Sequence, residues 1–275
     1  MNGVSTPVFG RAFWCFGPSI EAFKHCRPVL SVDGTFLTGK FKGVLLVAVS
    51  CDANNQLVPL AFALVEREDN SNWKWFMHLV RTRIIGPGRV VCVISYRHQG
   101  ILNAVKDEIP GHPLVRHRWC MRYFAANYYS KSRNKALTED LRQICMIFEP
   151  DRFQEKYVEL FAASNAQGKT FLHKHFAEKG YWAQAFDEDG SRYGNMTSNM
   201  AEIFNKVLKG IRSLPVSAIL AFTFMKCNVY WLERSDAAME LLSKNERWPK
   251  VVKETIELNR RRSLHQRWEV LDKEN

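Results

Sequence analysis

Pro28-Val-Leu-Ser-Val-Asp33 and Gly43-Val-Leu-Leu-Val-Ala-Val-Ser50, followed across the turn Asp52-Ala-Asn-Asn55 by the run from Leu57 to Val65, decide the fold of this chain. Each run is apolar, and each is bounded by glycine or by a polar turn, as buried strands are. The second and third are separated by so few residues that they form an antiparallel hairpin. Only a short segment containing Gly34, Gly39 and Gly43 separates the first two, so a three-stranded meander is expected.

Working outward, Trp73, Phe76, Met77, Val80 and Ile84 recur at helical spacing, with Asn70 or Ser71 as the expected cap and Gly86-Pro-Gly88 as the stop. Arg89 to Ser95 reads as a fourth, interior strand. Ile101, Leu102, Val105 and Ile109 mark a second helix closed by Pro110-Gly111, and Leu114 to Trp119 a fifth strand. The order β-β-β-α-β-α-β describes an α/β fold, a mixed sheet with helices on its faces. From Ala125 to Gly180 the pattern is helical throughout, with Leu137, Leu141, Ile144 and Phe148, then Phe153, Tyr157, Leu160 and Phe161, on faces broken at Pro150. A polar loop from Asp187 to Asn195 precedes a helix near Asn199 with Ile203, Phe204, Val207, Leu208 and Ile211 on its apolar side. Pro215 to Leu232 and Trp248 to Val270 read as a helical tail.

The 275 residues are 46% hydrophobic and 24% charged, the composition of a globular chain with a proper core. The longest apolar run, Val44 to Cys51, falls far short of the ~18–20 residues of a membrane-spanning helix, so no membrane association is expected. Met1 to Phe9 lacks the basic and apolar regions of a secretory signal. Seven cysteines without a C-x-x-C pair favour reduced, intracellular thiols. A count of 39 Lys+Arg against 28 Asp+Glu gives a formal charge of +11, which favours an acidic partner, nucleic acid first.

Asp33, at the end of the first strand, is either a turn aspartate satisfying backbone N–H groups or a buried acid that needs a partner or a cation. Glu202, three residues after Asn199, fits a capping box as well as it fits a functional carboxylate on a polar face with Asn205, Lys206 and Lys209. His117 with Cys120, and His173 with His175, lack a second pair at finger spacing, so no structural zinc is expected. His173 and His175 are expected on different helix faces, in solvent. Phosphate-loop, dinucleotide, zinc-protease and serine-hydrolase motifs are missing from the sequence. Arg260-Arg-Arg262, flanked by Glu254, Glu257 and Glu269, reads as a solvated helical face.

Five ordered blocks carry a resemblance. They are Phe13-Trp-Cys-Phe-Gly-Pro-Ser-Ile-Glu-Ala-Phe-Lys-His-Cys-Arg-Pro28, Val32-Asp-Gly-Thr-Phe-Leu-Thr-Gly-Lys-Phe-Lys-Gly43, Ile94-Ser-Tyr-Arg-His-Gln-Gly-Ile101, His117-Arg-Trp-Cys-Met-Arg-Tyr123 and Thr197 to Asn205. From Phe13 to Trp231 the chain resembles the transposase domain of plant Mutator-like elements, the MULE family. The resemblance implies a ribonuclease-H-like, retroviral-integrase-like mixed-sheet core at 28–124 and 196–235. It also implies an all-helical insertion at 125–195; 1–27 is then expected as a lead-in and 236–275 as a helical C-terminal tail.

The chemistry it implies is DNA strand cleavage and transfer, as in DNA recombination by transposable elements. An Asp-Asp-Glu triad holds two Mg²⁺ or Mn²⁺ ions there, and such ions require hard oxygen ligands. Asp33 matches the first carboxylate and Glu202 the third, and these two are the expected metal ligands. Tyr96 stands where the family carries its second aspartate. A neutral phenol offers one oxygen in place of an anionic pair, so the site is expected to be degenerate and metal binding weak or lost. Cys120-Met-Arg is followed by Tyr123 where the family often carries histidine. The zinc modules that commonly flank the family domain are also missing, the pattern expected of a trimmed or domesticated remnant.

The leading expectation is a nuclear, transposase-derived protein that keeps the fold without the cutting chemistry. It would contact DNA through Lys40, Lys42, Arg97, His98, Arg118, Arg122, Lys206 and Lys209. One alternative is an active metal-dependent transposase with Asp107 or Asp52 as a substitute carboxylate. Another is a domesticated interaction or transcription-regulatory module, with a homodimer as one arrangement. There Tyr128, Tyr129, Trp182 and Trp231 would either form a partner surface or pack the helical block onto the core.

Overall fold

The computed structural model of the chain describes residues 10–264. Its centre is a mixed sheet of six strands: β1 (Ala12–Cys15), β2 (Val29–Phe36), β3 (Val44–Cys51), β4 (Leu57–Val65), β5 (Cys92–Ser95) and β6 (Arg116–Trp119). Their order across the sheet is β1-β4-β3-β2-β5-β6. Strands β2, β3 and β4 form the expected antiparallel meander, and β5 and β6 extend it in parallel from the free side of β2. The turn between β3 and β4 is built by Asp52, whose Oδ1 accepts from the backbone N–H groups of Asn54 and Gln56, while Asn55 takes the left-handed conformation. Asparagine tolerates that conformation better than most residues.

All eight residues of β3 are buried, because both faces of the sheet are covered. Leu46 and Ala48 point into one layer with Phe23, Val32, Trp73, Phe76 and Ile101. Leu45, Val47 and Val49 point into the opposite layer with Phe62, Phe204, Leu208 and Ile219. The first layer is roofed by helices α1 (Gly17–His25), α2 (Asn70–Leu79) and α3 (Gln99–Ala104). Strand β1 and α1 were not anticipated from the sequence; β1 is a short edge strand paired with β4. The cap of α2 is Asp69, one residue before the expected pair, and its carboxylate accepts from the Asn72 N–H at 2.8 Å. A π-helical turn, Val80–Ile85, carries α2 on to Gly86. Helix α3 stops at Ala104, shorter than its sequence pattern implies.

Helices α4 (Met121–Ser132), α5 (Lys135–Cys145), α6 (Pro150–Ala163) and α7 (Ala166–Phe176) form a block with its own core of Phe124, Tyr128, Leu141, Phe153, Tyr157 and Trp182. Tyr128 and Trp182 therefore pack internally, and Trp182 Nε1 donates to the His175 carbonyl at 2.9 Å. His175 is itself buried, with Glu178 on its Nδ1 at 2.7 Å, which corrects the expectation of a solvent-facing histidine. The polar stretch after the block holds an internal clasp. Asp187 accepts from Arg118 Nε of β6 at 2.7 Å and lies 3.8 Å from Arg192 Nε, with all three side chains buried.

Helix α8 (Asn199–Val207), a 3₁₀ turn Leu208–Ile211 and the long helix α9 (Val216–Ser243) return to the sheet, and α10 (Lys250–Ser263) follows. The first nine residues of the expected lead-in and residues 265–275 of the expected tail, Glu269 among them, lie outside the described residues. Among the described residues no helix is long and apolar enough to cross a membrane.

Candidate functional site

Asp33 lies within β2 opposite Val47 of β3 and is 8% exposed. Its Oδ1 accepts from the Gly34 N–H at 2.9 Å and its Oδ2 from Asn205 Nδ2 of α8 at 2.9 Å. Burial pushes its carboxyl up to about 6; the charges of Glu68 and Glu202 add to the rise, and the two hydrogen bonds oppose it. Asp33 is thus both of the things its position left open, an acid satisfied by local donors and the centre of a buried polar cluster.

Glu202 is not part of a capping box. Ser198 is the N-cap of α8, without a side-chain cap bond, and Asn199 is already helical. The Glu202 carboxylate instead pairs with Arg122 of α4, whose guanidinium also reaches Asn199 Oδ1 at 3.2 Å. Helical spacing of three residues puts Glu202 and Asn205 on one face of α8. That face is aimed at β2, so Glu202 lies near enough to Asp33 for its charge to act on that carboxyl.

Tyr96 follows β5, the parallel neighbour of β2. Its hydroxyl donates to Glu68 Oε1 at 2.7 Å. Burial, then the Glu68 charge and hydrogen bond, then Asp33 and Tyr123, hold the phenol far above its ordinary range, so it stays neutral. The ring of Tyr123 in α4 lies 5.7 Å from that of Tyr96, and burial followed by the charges of Asp33 and Glu202 pushes its phenol up to about 12.

Glu68 was missed in the sequence. It stands in the charged run Glu66-Arg-Glu-Asp69, which reads as a solvated turn before a helix. Its carboxylate fills the space where a side chain at Gly34 would begin. Successive residues of a strand point to opposite faces, so Glu68 approaches β2 from the face that Asp33 turns away from. The two acids weighed as substitute carboxylates are engaged elsewhere: Asp107 pairs with Lys74 at 2.9 Å, and Asp52 pairs with Arg234 at 3.1 Å.

These residues do not fit a pair of divalent ions. Both Asp33 oxygens are taken by protein donors, Arg122 neutralises Glu202, and Tyr96 directs its proton at Glu68. Among the described residues no three His, Cys, Asp or Glu side chains converge closely enough to hold a metal ion. His117 and Cys120 are likewise engaged. Ser95 Oγ lies 2.9 Å from His117 Nε2, burial lowers that imidazole to about 3, and Cys120 Sγ accepts from the Ser198 N–H at 3.3 Å.

The basic residues divide into two groups. Arg118 is spent on Asp187, Arg97 lies over the Trp119 ring and beside His175, and His98 caps α3 by accepting from the Gly100 N–H. Lys40, Lys42, Lys206 and Lys209 are exposed. The loop bearing Lys40 and Lys42 is tied to the segment after Lys209 by bonds from the Thr38 and Gly39 N–H groups to the Arg212 carbonyl.

No curated protein matches the chain. Residues 29–127 match the family model described as MULE transposase domain, a span that includes Asp33, Glu68, Tyr96 and Arg122 and ends before Glu202. The match supports a MULE-type transposase domain running from β2 into α4.

Proposed function

We propose that the chain is a transposase-derived nuclear protein of plant origin that binds DNA through exposed lysines and has lost strand cleavage. The observation that carries this reading is Tyr96, a neutral phenol committed to Glu68 at the position where the resemblance requires an ionised aspartate. Two hard-ion ligands around mutually repelling cations leave too little negative charge, and a rate loss of ~10³-fold or more is expected from removing one such group. The sheet order β4-β3-β2-β5-β6, an antiparallel meander continued by two parallel strands, supports a ribonuclease-H-like core. The +11 charge and the exposed Lys40, Lys42, Lys206 and Lys209 support phosphate contact.

Plasmid nicking and strand transfer in Mg²⁺ or Mn²⁺ test the loss of cleavage. The native chain is expected to be inert and Tyr96→Asp to gain activity. Duplex binding is expected to weaken linearly in log K against log salt, with a slope that falls by about 0.9 for each phosphate-contacting lysine replaced. Binding without a salt slope overturns the DNA reading.

A further inference from the structure

Helix α9 buries apolar side chains against the sheet and carries a second set of apolar side chains away from it. On the covered side Ile219 and Thr223 are fully buried, Trp14 Nε1 donates to Thr223 Oγ1 at 3.0 Å, and Arg234 pairs with Asp52. On the opposite side stand Met225, Leu232 and Met239, which are 59%, 61% and 64% exposed. At 3.6 residues per turn, side chains seven apart fall nearly in line, so these three form one stripe, with the exposed Val229 and Leu242 alongside it.

A seven-residue apolar repeat is the spacing with which one helix packs along another. The five side chains expose on the order of 600 Å², at the upper end of what the largest patch on a monomer presents. Two such faces closed on each other remove roughly 1,200 Å², the lower bound of a specific interface. Charge narrows the occupant. With Arg234 held on the covered side by Asp52, Lys226 stands against Glu233, Asp236 and Glu240, which leaves the rest of α9 mildly acidic in a chain of +11. Nucleic acid is not drawn to such a face, whereas two strongly basic chains can meet there without added repulsion.

We propose that the Met225–Leu232–Met239 stripe of α9 is the contact by which two copies of this chain form a two-fold dimer, with the same patch used on both sides. The inference stands apart from the status of the Asp33 cluster. The test is sedimentation of the full chain over a concentration series reaching tens of micromolar. Twice the chain mass is expected. Leu232→Glu and Met225→Glu should each weaken association by ~10²-fold or more, with the circular dichroism spectrum unchanged. Met146→Glu, an equally exposed apolar site on the helical block, should dimerise like the native chain. A monomer at every concentration overturns the proposal, and so does a dimer indifferent to Leu232→Glu or one that Met146→Glu also dissolves.

Discussion

The Tyr96 hydroxyl donates to Glu68 Oε1 at 2.7 Å, joining the end of the parallel strand β5 to the charged turn that follows β4. The bond spans β2, the strand that carries Asp33, and it keeps a phenol and a carboxylate partly buried together. Removing either partner leaves the other without its counterpart in a poorly solvated place. Tyr96→Phe takes away the donor and leaves Glu68 Oε1 unsatisfied, which should cost about 1–3 kcal/mol in urea unfolding. Glu68→Gln keeps an acceptor for the phenol and should cost less than half as much.

Gly34 has a spatial role that its extended backbone does not require. A methyl group there would overlap the Glu68 carboxylate and meet Leu46 Cδ2 at 3.2 Å. Gly34→Ala should therefore expel Glu68, break its bond to Tyr96 and lower the melting temperature at least as much as Tyr96→Phe does. In the Glu68→Ala background the same glycine substitution should become milder, because the overlapping carboxylate is gone. Full additivity of the two changes would refute the contact.

Asp33 gives the molecule a pH signature. Its carboxyl is raised to about 6 in the folded chain, against an unfolded value near ~3.9. Between those values the native state holds the proton and the unfolded state does not, so this group's contribution to stability grows as pH falls from about 7 toward 4. Ionisation at neutral pH thus destabilises the fold by on the order of 2–3 kcal/mol. Asp33→Asn should raise stability at pH 7.5 and bring little or no gain at pH 4. His117, lowered to about 3, contributes the opposite slope over part of this range. The difference between variant and native chain, not the native profile, is the quantity to measure.

The clasp at Asp187 should dominate the docking of the helical block. It faces Arg118 and the fully buried Arg192, so Asp187→Asn leaves two guanidinium groups without their anion. Breaking a buried ion pair from one side costs about 3–5 kcal/mol. Proteolysis and hydrogen exchange should show α4 to α7 loosening from β6, while the β2–β4 meander keeps its protection. A loss below ~1 kcal/mol would contradict the buried clasp.

The meander was legible because its signal is local: three uninterrupted apolar runs, a turn built by Asp52, and glycines between. The helix caps were less legible, since Asp69, Asn70 and Ser71 are all competent caps and only the path of the chain out of β4 selects Asp69. Strand β1 is four residues long and gains its stability from β4, so nothing in its own sequence announces it. His173 and His175, two positions apart, fall on different faces of α7, and only the packing of α7 against α4 decides that the face carrying His175 is buried.

For the cluster around β2, the chemical identities can be read along the chain: an acid at Asp33, a phenol at Tyr96, and a glutamate and an asparagine one helical turn apart at Glu202 and Asn205. Tertiary structure alone decided who meets whom. Glu68, 28 residues from Tyr96, becomes its partner, and Arg122, 80 residues from Glu202, neutralises it. Periodicity fixes which way a side chain faces within its own element, but pairing across elements depends on how helices and strands stack, and no local pattern encodes that stacking.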